Sequence, residues 1–220
     1  MLAASPAWAT PPLPDYAEEV TVAAWTEINH RIERACTWAV QGAPAPTRCD
    51  TEALDAAAIR ARAYERHVQP DARIRYLQGL ALRLKGDARS AERVLTEAAA
   101  LNDQRREIWF DLGELRMARG DYPGAAEAFE RVTALLPDGP GAWIAWFQLA
   151  QIAGHRRDPE AMADALRQAL RHGLSLRTIQ AQPAWRAFFA DPALREVITR
   201  MVTLYGDPGI LDSLRADDAK

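Results

Sequence analysis

Apolar residues recur at helical spacing along most of this chain. Residues 16–41 are predicted to form one long helix, because small, branched and aromatic apolar residues fall every three or four positions there. A second helix is predicted over 51–67, with Asp50 as its N-cap and Pro70 beyond its end. No alternation typical of strands is visible, so the pattern predicts an all-α fold that opens with a helical hairpin over residues 15–70.

From residue 72 onward the pattern repeats with a step of 34 residues. The turn Gly86-Asp87 recurs as Gly120-Asp121. A step of this length marks stacked helical hairpins, in which no hairpin buries its apolar face alone. In register with that turn, the repeats run over 72–105, 106–139 and, after a short insertion at 140–142, 143–176.

Each repeat carries a small residue in the middle of its first helix. Glycine in a helix interior costs about 1 kcal/mol relative to alanine, so its presence suggests that another helix passes too close for a side chain. The small positions are Gly79, Gly113 and Ala150, and the large residues expected on the second helices are Leu95, Phe129 and Leu166.

These positions resemble the tetratricopeptide repeat (TPR) family, whose pattern is Trp-x2-Leu-Gly followed by alanine, an aromatic or leucine, and proline. The first repeat departs from it with Arg75 in place of the tryptophan, and the third has Arg157 in place of the turn glycine. The resemblance covers residues 71–176 and implies a right-handed α-solenoid of about three TPR-like hairpins. The second repeat matches closely, with Trp109, Leu112, Gly113, Ala125, Phe129 and Pro137.

The chain changes character after the third repeat. An aspartate–proline turn at Asp191-Pro192 and an amphipathic helix after it resemble the closing segment of some bacterial TPR proteins. We interpret residues 177–205 as capping helices that cover the last hairpin. The alternative is that Trp185 and Phe188 form a docking knob for a partner. Residues 206–220 are expected to be a loosely held tail.

In the TPR family, positions 2, 5, 9, 12 and 13 of each repeat line a groove that binds partners. The resemblance therefore implies an aromatic column of Tyr76, Phe110 and Phe147, which suits an extended or helical peptide. The alternative is a groove filled by the helix at 51–67 or by the C-terminal cap. The residues proposed to bind a partner are Arg73, Tyr76, Leu80, Arg83, Glu107, Phe110, Glu114, Met117, Phe147 and Gln151.

The two cysteines and the N-terminal residues help to predict the cellular compartment in which the protein works. Residues 1–14 begin MLAASPAWA, which looks like the end of a secretory signal peptide but lacks a basic segment. Cys36 and Cys49 could form a disulfide across the loop at 41–46, or stay as two reduced thiols. We favour a periplasmic or otherwise exported protein, with the cytoplasm as the alternative.

Composition and motifs exclude several functions. A net charge of −3 gives no electrostatic case for nucleic-acid binding, and no apolar run is long enough to span a membrane. Glu27 and His30 have the spacing of a di-iron helix pair, but no second pair accompanies them. We predict no catalytic site, metal or cofactor. The sequence favours a scaffold or assembly factor that binds another protein, with a structural subunit of a larger complex as the alternative.

Overall fold

The computed structural model describes residues 16–38, 46–180 and 182–215. The leader-like segment and most of the loop between the cysteines lie outside these ranges. The fold is an all-α solenoid of helical hairpins. The chain divides into two compact units, the N-terminal unit ending at Asn102 and the C-terminal unit beginning at Asp103.

The N-terminal unit contains the predicted first hairpin and the first repeat. Along the chain, α2 packs against α1 and α3, and α4 packs against α3. A two-residue antiparallel ladder, β1 with β2, follows α1. The elements are α1 (Tyr16–Ala35), β1 (Cys36–Thr37), β2 (Arg48–Cys49), α2 (Thr51–His67), α3 (Ala72–Lys85) and α4 (Ala88–Leu101).

The C-terminal unit contains the second and third repeats and the helices after them. Helices α5 and α6 form one hairpin, α7 and α8 form the next, and α6 packs against α7. The elements are α5 (Arg106–Ala118), α6 (Tyr122–Leu135), α7 (Ala142–His155), α8 (Pro159–Arg171), α9 (Arg177–Gln180), α10 (Pro183–Ala190), α11 (Pro192–Tyr205) and α12 (Gly209–Arg215).

The turns inside the three repeats share one backbone geometry. Gly86 and Gly120 have φ angles of +94° and +82°, in the left-handed region that glycine adopts without steric cost. Arg157 takes the same place in the third turn with φ +55°. In each turn the following aspartate N–H donates to the helix just ended: Asp87 to Leu82 O (3.0 Å), Asp121 to Arg116 O (2.9 Å) and Asp158 to Ala153 O (2.9 Å).

The same aspartates begin the second helices. Each carboxylate accepts a hydrogen bond from a backbone N–H in the first turn of the next helix, which satisfies one of its otherwise unpaired donors. The bonds are Ser90 N to Asp87 Oδ1 (3.1 Å), Gly124 N to Asp121 Oδ1 (3.1 Å) and Ala161 N to Asp158 Oδ1 (3.0 Å). The recurring Gly-Asp pair therefore ends one helix and begins the next within two residues.

The small mid-helix positions allow the two helices of a hairpin to approach closely. A Cβ atom added at Gly79 would lie 2.6 Å from the Leu95 side chain, and one at Gly113 would lie 2.7 Å from the Phe129 ring. Real Cβ atoms do not come so close to a neighbour. Leu95 and Phe129 are fully buried, so each fills the space that the missing side chain leaves.

The helices after the third repeat close the core of the C-terminal unit. Helix α10 packs on α7, and α11 packs on α8. Trp185 is 0% exposed, and the aromatic residues Phe188 and Phe189 beside it are buried. Helix α12 differs from the loose tail that we expected after residue 205, because Ile210 and Leu214 are buried in the same cluster.

The N-terminal hairpin differs from expectation in two places. Helix α1 ends at Ala35 rather than continuing toward residue 41, because the next residues pair with Arg48 and Cys49 in the short ladder. Trp38 continues the helical spacing of residues 16–41 in the sequence, but it lies just after the ladder and is 40% exposed. Trp25 is partly buried against the core of the unit.

Cys36 and Cys49 are the paired residues of the ladder, and their sulfurs lie at disulfide-bonding distance. Helix α2 starts directly after the second cysteine, where Asp50 accepts hydrogen bonds from Glu52 N (3.0 Å) and Ala53 N (3.1 Å). The pair therefore joins the end of α1 to the start of α2 across a sequence separation of 13 residues.

We expect Gly113→Ala to lower the free energy of unfolding by about 1–3 kcal/mol, because the new methyl group overpacks against the Phe129 ring. The third repeat has Ala150 and Leu166 at the corresponding positions, both fully buried. Phe129→Leu should therefore recover part of the loss when it is combined with Gly113→Ala. Urea unfolding of both single variants and the double variant measures the coupling. Additive losses would contradict the proposed contact.

We expect loss of the Cys36–Cys49 disulfide to lower the free energy of unfolding by about 3 kcal/mol, the value for closing a loop of this length. Urea unfolding of the oxidised protein with and without a reductant measures the difference. The Cys36→Ala/Cys49→Ala protein is the control, since its stability should be low and unaffected by the reductant. Equal stability of the oxidised and reduced wild-type protein would rule out this contribution.

Candidate functional site

The first repeat presents its proposed binding residues on α3. Tyr76 and Leu80 are partly buried and pack against the core formed with α1 and α2. Arg83 is also partly buried. These three side chains thus combine a structural role with some remaining exposed surface.

Arg73 is held by carboxylates of its own unit. Its guanidinium donates to both carboxylate oxygens of Glu18 on α1, at 2.7 and 2.8 Å, and to Asp71 Oδ2 at 2.9 Å. The bond to Glu18, followed by that to Asp71, raises the pKa of Arg73, and the bond to Arg73 lowers the pKa of Glu18. With two carboxylates beside it, Arg73 has little charge left to attract an acidic ligand.

The second repeat presents its proposed binding residues on α5. Glu107 is exposed, and the Phe110 ring is partly buried with its centroid 5.6 Å from that of Phe129, in an edge-to-face arrangement. Met117 packs on the same core cluster. Glu114 Oε1 accepts a hydrogen bond from Gln148 Nε2 at 2.5 Å, so it is tied to α7.

The third repeat corrects the expectation of an exposed aromatic column. Phe147 is 2% exposed, and its ring stacks on the Trp185 ring of α10 with centroids 5.3 Å apart. Gln151 is 4% exposed and donates to Gln148 Oε1 at 3.0 Å. While α10 is in place, these two residues belong to the core and cannot contact a partner. Trp185 is buried as well, although the alternative interpretation of the sequence made it part of a docking knob.

A further aromatic cluster joins α6, α7 and α10. The His155 ring stacks on Tyr122, with centroids 4.6 Å apart, and meets Phe188 edge to face at 4.9 Å. Partial burial of the ring against Tyr122 and Phe188 lowers the pKa of His155 below its usual value of 6.5, although the residue as a whole is exposed. Sequence reasoning did not bring these three residues together, because they are 33 residues apart in steps that do not match the 34-residue repeat.

The described ranges show no sign of a metal centre or a membrane span. No three His, Cys, Asp or Glu side chains among these residues converge in a way that could hold a metal ion. None of the helices in the same ranges combines the length and apolar character that crossing a bilayer requires. The Glu27 carboxylate binds Arg31 and Arg60 instead, at 2.9 and 3.0 Å.

Comparison with known protein families identifies the repeats. The model of the tetratricopeptide repeat family matches residues 85–140 and 110–174. Residues 85–174 therefore carry tetratricopeptide repeats. A comparison with curated protein sequences finds no match. The TPR fold is generally a non-enzymatic scaffold for protein interactions.

Several solved structures share the fold. MamA (residues 41 to the end) from Desulfovibrio magneticus RS-1 is 17% identical with a TM-score of 0.62, and covers 94% of this chain and 99% of its own. A further MamA structure is 12% identical with a TM-score of 0.63, covering 91% and 95%. Pseudomonas aeruginosa PilF is 13% identical with a TM-score of 0.53, covering 94% and 100%. At these identities the likeness concerns the fold alone.

We expect the stability of the protein to fall as the pH is lowered from about 6.5 through the folded-state pKa of His155. Over that interval the unfolded chain binds a proton at this residue more readily than the folded chain does, so lowering the pH favours unfolding. Urea unfolding at several pH values measures the effect. His155→Phe keeps an aromatic ring in the cluster and should reduce the pH dependence. An unchanged dependence in this variant would exclude His155 as its source.

Proposed function

We propose that this TPR protein is a non-catalytic scaffold that binds a partner protein through apolar residues on the first helices of its repeats, taken separately as α3 in the N-terminal unit and α5 in the C-terminal unit. The observation that carries the proposal is the partial exposure of Tyr76 on α3 and Phe110 on α5, which occupy the same repeat position. Leu80 and Met117 are partly exposed beside them. Aromatic and aliphatic anchors of this kind supply most of the binding energy at protein interfaces.

The charged residues refine this proposal. Arg73 is neutralised by Glu18 and Asp71, and Glu114 is engaged by Gln148. Apolar contact with Tyr76 and Phe110 is therefore the main source of affinity in this proposal, and charge has a secondary role. A partner segment with apolar side chains at helical or alternating spacing suits each of these two surfaces.

The burial of Phe147 and Gln151 supports the second candidate function, a structural subunit whose groove is filled by its own residues. In that case the protein contacts its partners by its ends or outer face. Since the filling segment is α10 of the same chain, this alternative has direct support in the third repeat.

We further propose that the protein works in an oxidising compartment such as the periplasm. The proximity of Cys36 and Cys49 supports this assignment, because disulfides form and persist in exported proteins. The leader-like residues at the N-terminus agree with it.

We expect Tyr76→Ala/Phe110→Ala to lose its partner in a pull-down from the native organism while remaining folded by circular dichroism. The matched control is Ile59→Ala/Leu204→Ala, which removes two apolar side chains that are more than 60% exposed elsewhere. A protein retained by the wild type and this control, but absent from the first variant, is the expected result.

Two outcomes would contradict binding through α3 and α5. Retention of the same partner by the folded Tyr76→Ala/Phe110→Ala variant would move the interface to the ends or outer face. A loss of about 3–5 kcal/mol of stability for each substitution would show that these side chains are core residues. Both outcomes would favour the structural-subunit function.

A further inference from the structure

The third repeat shows how this protein fills a groove position with a tryptophan of its own. Phe147, at position 5 of that repeat, is 2% exposed because the Trp185 ring stacks on it, with centroids 5.3 Å apart and ring planes 12° apart. Trp185 belongs to a Pro-Ala-Trp sequence, in which Pro183 begins α10 and the small Ala184 packs against the same core. A Pro-Ala-Trp segment is therefore an occupant that fits an aromatic ring at position 5.

The same three residues occur a second time, as Pro6-Ala7-Trp8 in the sequence before α1. Residues 1–15 lie outside the described ranges, and the described chain begins at Tyr16, the first residue of α1. Residues 1–14 contain no charged side chain, and four of them are prolines. Uncharged, proline-rich segments are typical ligands of grooves lined by aromatic residues.

The N-terminal unit presents an aromatic residue at the equivalent position of the first repeat. This residue is Tyr76, and it is partly exposed, as is Leu80 one helical turn later at position 9. The residues at positions 5 and 9 of the third repeat, Phe147 and Gln151, are both buried. The first repeat therefore keeps accessible surface at the two positions that the third repeat buries.

Helix α1 lies beside α3 and runs in the same direction, since both helices are antiparallel to α2. The contacts that show this are Thr21–Tyr64 and Glu27–Arg60 for α1 with α2, and Asp55–Lys85 and Glu65–Arg75 for α2 with α3. Glu18 on α1 binds Arg73 on α3 at 2.7 Å. Val22 follows Glu18 by about one turn, so it lies on the same side of α1, toward Tyr76.

These helices together form one apolar surface, which we call the α1–α3 surface. Its members are Val22, Trp25, Tyr76 and Leu80. Val22 is 46% exposed, and the other three are partly buried and pack against one core cluster. The charged residues at its entrance, Glu18, Asp71 and Arg73, bind one another. An uncharged segment with apolar side chains therefore suits this surface.

The N-terminal residues are long enough to reach the α1–α3 surface. Trp8 precedes Tyr16 by eight residues, which span at most about 26–29 Å when extended. Because Glu18 binds Arg73, the first turn of α1 lies beside the first turn of α3, one turn before Tyr76. The chain thus leaves α1 close to the surface that the tryptophan has to contact.

We propose that residues 5–14 dock on the α1–α3 surface of their own chain, with the Trp8 ring on Tyr76 as the Trp185 ring lies on Phe147. The inference rests on the proposed function, because the docked segment covers the α3 residues offered to a partner and competes with it. Tethering gives the segment a millimolar effective concentration, so a weak contact is enough to hold it. A chain from which the leader-like residues up to Ala9 had been removed would expose this surface.

The Trp8 indole signal in a ¹H–¹⁵N correlation spectrum of the full chain tests docking without any partner. Trp8→Ala identifies this signal, and a synthetic peptide of residues 5–14 with blocked ends gives its undocked position. We expect the wild-type signal to lie away from that position and to return to it in Val22→Asp, which places a charge on the surface. Val20→Asp is the matched control, because this valine is on another side of α1 and is similarly exposed, at 48%.

The same peptide tests the contact by competition. We expect it to bind Trp8→Ala about tenfold more tightly than the wild-type chain, because in the wild type the tethered segment already occupies the surface at millimolar effective concentration. A control peptide with alanine in place of the tryptophan should bind neither chain.

The proposal is overturned by a wild-type Trp8 signal at the undocked position, by equal effects of Val22→Asp and Val20→Asp, or by equal peptide affinities of the wild-type and Trp8→Ala chains. A Trp8 signal that moves to the undocked position on dilution would also overturn it and assign the contact to a second copy. None of these readouts needs a partner, so their failure leaves binding through α3 and α5 standing. Failure of the Tyr76→Ala/Phe110→Ala pull-down, in turn, leaves the docked segment standing.

Discussion

The close approach of two helices at one glycine is the contact on which the hairpins depend. At Gly79 and Gly113 the facing side chain occupies the space of the missing Cβ, so the large residue of α4 or α6 becomes fully buried. This contact fixes the separation and the register of the two helices together. The Gly-Asp turn then only has to join helices whose spacing is already set.

Much of the fold could be predicted because its determinants are local. Helix α2 has the predicted bounds, since Asp50 and Pro70 are signals close to its ends. The turn at Arg157 was predicted from its place in the repeat, although arginine gives no sign of a left-handed conformation. The structure shows that the position demands this conformation whichever residue occupies it.

The wrong predictions concern side chains whose surroundings are set by segments that are distant in the sequence or too short to produce a pattern. Phe147 carries the same local signal as Phe110, and only the later helix α10 makes one a core residue and leaves the other partly exposed. The ladder at Cys36 and Cys49 is too short to produce an alternating pattern. Trp38 continues the helical spacing of α1, which predicts that it faces the core, but the chain leaves the helix three residues before it.

The packing of α10 on Phe147 has a consequence for how such an array can grow. A hairpin added by duplication needs a free apolar face at each junction, and after the third repeat that face is already occupied by Trp185 and Phe188. A new hairpin there would have to displace α10. Between α6 and α7, in contrast, one repeat packs directly on the next, and an extra copy could be spliced in with both of its neighbours present. Lengthening after the third repeat therefore requires α10 to move, whereas lengthening at the junction of α6 and α7 does not.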